Sequence, residues 1–145
     1  FTNHQRVSLK LTLKLGNYVE DNQLGELFIA PMDVHFDKEN VFQPDLLFIS
    51  KSRKNIIQKH IKGAPDLVIE IISRGTKDKD ENEKKEIYGK YGVMEYWLID
   101  PATQSFEVFH NENNEMILKE KFEKIGVINS ISVKDFLLNI EDIFK

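Results

Sequence analysis

The sequence predicts an α/β fold, a central sheet flanked by helices, on three observations. Two short runs, Gln43-Pro44-Asp45-Leu46-Leu47-Phe48-Ile49 and Pro65-Asp66-Leu67-Val68-Ile69-Glu70-Ile71-Ile72, are almost wholly apolar, the pattern of strands buried on both faces. Stretches with helical spacing of apolar residues lie before and after them. Two further strand-like runs flank Asn111-Glu112-Asn113-Asn114, which reads as a hairpin. With 145 residues, 41% of them hydrophobic, the chain is long enough to bury a core of its own. No repeat, low-complexity tract or linker divides it, so residues 1–145 are expected to form a single domain.

The elements follow in order. From His4 to Asn22, Leu11, Leu15, Tyr18 and Val19 share a helical face, while Leu9 and Leu13 blur it; a helix ending near Gly25 is expected. Glu26 to Phe36 suggests a strand bent near Pro31 and a second short strand, and Asp37-Lys38-Glu39-Asn40 a polar turn. Residues 42–49 form the next strand. Lys51 to Lys62 is basic and reads as a short helix or exposed crossover ending at Gly63. After the strand over 66–72, Thr76 is placed to cap a helix that runs to Tyr91 and is closed by Gly92. A strand over Met94–Ile99 stops at Asp100-Pro101, the hairpin strands cover 105–110 and 116–122, and Val133 to Phe144 has a short amphipathic helix pattern.

Composition narrows the function. There is no cysteine, which excludes disulfides, thiolate metal sites and cysteine nucleophiles and agrees with a cytoplasmic setting. No apolar run approaches the ~20 residues a membrane helix needs. The chain opens on Phe1 rather than methionine, so an N-terminal segment is expected to be missing. The formal net charge of −4 argues against tight nonspecific nucleic-acid binding, which needs a clustered basic surface. It does not remove a metal-dependent nuclease, whose own carboxylates enter that count.

Asp45 and Glu70 carry the functional reading. A lone ionised carboxylate in an apolar strand costs roughly several kcal/mol in desolvation unless something compensates it. Facing carboxylates on strands about 4.8 Å apart can chelate one ion, and oxygen-only ligands favour Mg²⁺, Mn²⁺ or Ca²⁺ over zinc. Asp66 lies on the face of Glu70 but ~13 Å along the strand, too far to share that ion. On the following helix Asp80, Lys84 and Tyr88 occupy one face, and a lysine turned inward there would find Glu70 as counter-charge. Lys77, Lys79, Glu81 and Glu83 read as a solvated face. Tyr88, Tyr96 and Trp97 read as core, and His4 as structural or exposed. His35, His60 and His110 show no ligand-like spacing and receive no role.

The segments Gln43-Pro44-Asp45, Ala64-Pro65-Asp66-Leu67-Val68-Ile69-Glu70-Ile71-Ile72-Ser73, Asp80 with Lys84 and Tyr88, and Gly92-Val93-Met94-Glu95-Tyr96-Trp97-Leu98-Ile99-Asp100-Pro101 resemble the Uma-two family of the PD-(D/E)xK nuclease superfamily. The resemblance runs in order over nearly the whole chain. It implies a restriction-endonuclease-like mixed central sheet flanked by helices, and an Mg²⁺- or Mn²⁺-dependent endonuclease hydrolysing phosphodiester bonds in DNA, with a homodimer allowed. It assigns Asp45 and Glu70 to the metal and Lys84 to the catalytic lysine displaced onto the helix (Ile72 stands at the usual lysine position); Asp80 and Tyr88, on the helix face of Lys84, are expected to set its position. Two departures stand out: Ser73-Arg74-Gly75-Thr76 replaces the family's common Ser-Pro-Ser-Thr, and the family's acidic N-terminal segment is absent here. A non-catalytic nuclease-like binding or regulatory module is the alternative reading, and a two-carboxylate glycosidase a weaker third.

Overall fold

Apolar periodicity decides the layers. In the computed structural model, which describes residues 2–73 and 78–145, helix α1 (Thr2–Asp21) buries Val7, Leu11, Leu15 and Val19 along one stripe. Leu9 and Leu13, the residues that blur the pattern, lie on its exposed side. That stripe packs on a six-stranded mixed sheet built from β1 (Gly25–Ile29), β4 (Leu46–Ser50), β6 (Leu67–Ile71), β7 (Glu95–Asp100), β8 (Ser105–Glu112) and β9 (Glu115–Glu123), in the spatial order β1-β4-β6-β7-β8-β9. Only β6 and β7 run parallel, joined by the crossover through α2 (Asp78–Lys90); the other pairs are antiparallel. Period-two alternation divides β6: Leu67, Ile69 and Ile71 join the α1 core, while Val68 packs on the opposite face with Tyr88, Tyr96 and Phe109. Glu70 shares the parity of Val68 and so belongs to the α2 face.

A small sheet, β3-β2-β5, caps the β1–β4 end; it contains β2 (Val34–His35), β3 (Val41–Phe42) and β5 (Ile61–Lys62). Strand-like sequence over 42–49 is therefore two strands in two sheets, broken at Gln43-Pro44-Asp45, where proline removes a ladder donor. Lys51 to Lys62 resolves into a 3-10 helix over Lys51–Ile56 followed by β5. The hairpin forms as expected around Asn113 and Asn114, both at positive φ (54° and 67°), which asparagine tolerates in a two-residue turn. Thr76, the expected helix cap, lies outside the described residues. Gly92, at φ 92°, sits where the chain leaves α2.

The tail departs from expectation. The helical pattern over 133–144 is realised as a turn, then β11 (Leu137–Asn139) paired with β10 (Val127–Asn129), and only a short helix α3 (Glu141–Phe144). Asp135 at φ 60° breaks any continuous helix, yet Val133, Phe136, Leu138, Ile140 and Ile143 still all reach the α1 core. Apolar spacing alone does not separate a helix from a compact turn-and-strand that buries the same residues.

Glu95 fastens this tail to the sheet. It is fully buried and accepts hydrogen bonds from Trp97 Nε1 (2.8 Å), Ser130 Oγ (2.7 Å), Ser132 Oγ (2.5 Å) and the Ser132 backbone N–H (3.1 Å). Alternation puts Glu95 and Trp97 on one side of β7, so the indole and the carboxyl meet without distortion. Removing the shared acceptor strands several buried donors at about 1–3 kcal/mol each, partly relieved by relaxation. Glu95→Ala is expected to lower unfolding stability by about 3 kcal/mol in urea titrations; a loss below about 1 kcal/mol would show that the tail is held by apolar packing alone.

Candidate active site

The β4–β6 ladder pairs Leu46 with Ile69, Leu47 with Val68 and Phe48 with Leu67. Continuing that register by one position sets Asp45 opposite Glu70, and opposite residues in an antiparallel pair point to the same face. Asp45 stands just before β4, where Pro44 has ended the preceding strand, and its Oδ2 accepts the Ile71 backbone N–H at 2.7 Å. This bond ties the carboxylate to the neighbouring strand next to Glu70. Asp66, at the other end of β6, is buried and accepts the Ser50 backbone N–H at 2.9 Å, a structural role at the far end of the same strand pair.

Glu70 is 9% exposed and held from the α2 side. Tyr88 donates its hydroxyl to Glu70 Oε2, and Lys84 Nζ lies 3.7 Å from the same oxygen. Lys84 and Tyr88 are one helical turn apart, so one helix face delivers a charge and a hydroxyl to one carboxylate. Tyr88 is locked by rings on several sides, with centroids of Phe36 at 5.6 Å, Phe42 at 6.0 Å and Tyr96 at 5.3 Å. Burial, and then the Glu70 charge, push the Tyr88 hydroxyl pKa well above its ordinary value, which keeps it protonated and donating. The same two causes, in the same order, raise Tyr96; its buried hydroxyl has no hydrogen-bond partner among the described residues.

Asp45, Glu70 and Lys84 line one cleft of about 170 Å³, together with His4, Gln43, Glu81 and Tyr96. The cleft therefore holds three carboxyl groups and one lysine, a set of hard oxygen donors suited to Mg²⁺ or Mn²⁺. Tyr88 is fully buried behind it. Nothing is described of the Asp80 side chain, so its expected support of Lys84 lies outside the described residues.

Two cleft residues escape a reading of the sequence alone. His4, on the first turn of α1, brings Nε2 to 3.3 Å from Asp45 Oδ1; no local pattern links positions 4 and 45, which meet only when α1 packs across the sheet. Glu81 reads as part of a solvated run, yet it is only partly exposed and faces the cleft. Its position one turn before Lys84 is the signal that places it there.

The family model Uma2, described as "Putative restriction endonuclease", matches residues 2–140. A solved structure described as a putative nuclease belonging to DUF820 from Anabaena variabilis ATCC 29413 matches with a TM-score of 0.80 at 21% identity, covering 98% of this chain and 80% of that one. At that identity the match speaks for the fold: a mixed sheet flanked by helices. No curated protein matches the chain.

Tyr88 offers a direct probe of how Glu70 is held. A hydrogen bond to a charged group contributes roughly 1.5–3 kcal/mol, so Tyr88→Phe is expected to lose about that much stability at neutral pH. Because the hydroxyl pKa is raised in the folded state, its contribution is fully present below the ordinary tyrosine value near 10 and lost as pH rises through the folded value. Urea unfolding across alkaline pH is expected to show the gap between wild type and Tyr88→Phe narrowing above pH ~10. A gap that is absent at pH 7, or that widens with pH, would contradict this arrangement.

Proposed function

The chain belongs to the Uma2 family, the Uma-two family its sequence resembles, and on that footing we propose that it hydrolyses phosphodiester bonds in DNA with Mg²⁺ or Mn²⁺. The observation that carries the reading is the meeting of Asp45, Glu70 and the Lys84 ammonium at one cleft. Asp45 and Glu70 would hold the ion, with Glu81 on the wall of the same cleft. When bound, the ion supplies a water of lowered pKa and offsets charge on the phosphate.

The remaining work falls to side chains. Lys84 orients the attacking water and neutralises negative charge as it develops on the phosphate. Tyr88 fixes the Glu70 carboxylate from behind, and the Ile71 N–H does the same for one oxygen of Asp45. His4 faces the other oxygen of Asp45 and limits its rotation. A DNA backbone approaching the cleft meets acidic groups, so productive binding depends on the ion to reverse the local field.

Purified protein is expected to nick or cleave DNA with Mg²⁺ or Mn²⁺ and to stop with chelator. Glu70→Ala is expected to abolish both cleavage and metal binding. Lys84→Ala is expected to lower turnover by roughly 10²–10³ with metal affinity retained, as for loss of a group that acts mainly on the transition state. Cleavage that persists in Glu70→Ala purified in parallel would identify a contaminant. A clean wild type that binds metal but cleaves neither single- nor double-stranded DNA would favour the non-catalytic nuclease-like module.

A further inference from the structure

The parallel pairing of β2 with β5 creates a second cluster of metal-binding side chains at the small sheet. Val34 pairs with Ile61 and His35 with Lys62, and one step back this register sets Asp33 beside His60; the Ile61 N–H bonds the Asp33 carbonyl at 3.0 Å. Val34 and Ile61 are fully buried on one side of the pair. Alternation then turns Asp33, His35 and His60 to the other side together. One donor atom from each of the three lies within 4.8 Å of the other two, and the two imidazole rings have centroids 5.1 Å apart.

Three further features bear on what this cluster does. Gln43 Nε2 donates to Asp33 Oδ1 at 2.7 Å, while Asp33 Oδ2 lies 3.9 Å from His60 Nδ1. One carboxylate oxygen is thus oriented by an amide and the other is presented to the histidines, as an outer partner does for a metal-bound carboxylate. His35 Nε2 is buried without a hydrogen-bond partner among the described residues, a cost that a bound ion, or the rotation that brings one in, would remove. The His60 and Asp33 side chains are 40% and 34% exposed, so solvent ions reach them.

We propose that Asp33, His35 and His60 form a second metal site that takes a borderline transition-metal ion, with Zn²⁺ the best match. Two imidazoles and one carboxylate suit zinc, with water completing four-coordination. The hard-oxygen cleft prefers Mg²⁺ or Mn²⁺, so donor chemistry separates the two sites. Donor atoms of a tetrahedral zinc ion sit ~3.4 Å apart at bond lengths near 2.0–2.1 Å; modest rotation of the half-exposed His60 and Asp33 closes the cluster to that size. Gln43 touches Asp33 and also lines the cleft two residues before Asp45, so zinc binding would pin the small sheet beside the segment that presents Asp45. The site stands whether or not the cleft is a nuclease.

Equilibrium dialysis of the whole chain against Zn²⁺ in excess millimolar-range Mg²⁺, with competition by a chromogenic zinc chelator, tests this. Wild type is expected to retain one Zn²⁺ per chain. Asp33→Asn and His60→Ala, each folded by circular dichroism, are expected to weaken zinc binding at least about tenfold. The double variant Asp45→Asn/Glu70→Gln is expected to keep it. No zinc retained by wild type, zinc affinity unchanged in Asp33→Asn and His60→Ala, or zinc lost in the cleft double variant would each overturn the proposal.

Discussion

The antiparallel register of β4 on β6 is the constraint on which the rest of the cleft depends. Leu46 opposite Ile69 places Asp45 opposite Glu70, and a slip of one residue would turn one carboxylate into the α1 core. That register is held by burial on both faces: Leu46 and Phe48 pack under α1, and Leu47 and Ile49 pack against the small sheet. Every residue of β6 is buried. Hydrophobic packing thus sets the spacing of two charges that could not choose their own positions.

A carboxylate at such a depth needs local compensation, and each acid receives its own. Glu70 has a hydroxyl and an ammonium from a single face of α2, and the aromatic cluster of Phe36, Phe42 and Tyr96 keeps that hydroxyl aimed. Asp45 has the Ile71 N–H on one oxygen and His4 on the other. Both carboxylates are therefore held in place by other groups of the chain. Lys84 has a double place in this scheme, as partner of Glu70 and as a positive charge at the cleft wall.

Much of this was legible because it is local. The α1 stripe, the doubly buried β6, the asparagine turn between β8 and β9, and the one-turn spacing of Lys84 and Tyr88 all follow from short-range periodicity and turn chemistry. What escaped depends on contacts between distant segments. The break at Pro44 divides one apolar run between two sheets; the tail buries helix-spaced residues without a helix; His4 reaches Asp45 only across the packed α1. The histidines are the clearest case: His35 and His60 show no ligand spacing along the chain, and become neighbours only through a two-residue parallel ladder. Ladders that short leave almost no trace in sequence.

Anomalous diffraction from a crystal soaked in Mn²⁺ tests most directly whether Asp45 and Glu70, set opposite each other by the β4–β6 register, hold the proposed ion. The predicted result is a manganese peak bonded to carboxylate oxygens of both Asp45 and Glu70, with the Lys84 ammonium on the same side of the cleft. Manganese ordered elsewhere, with the Asp45–Glu70 space holding only solvent at saturating ion, would contradict it.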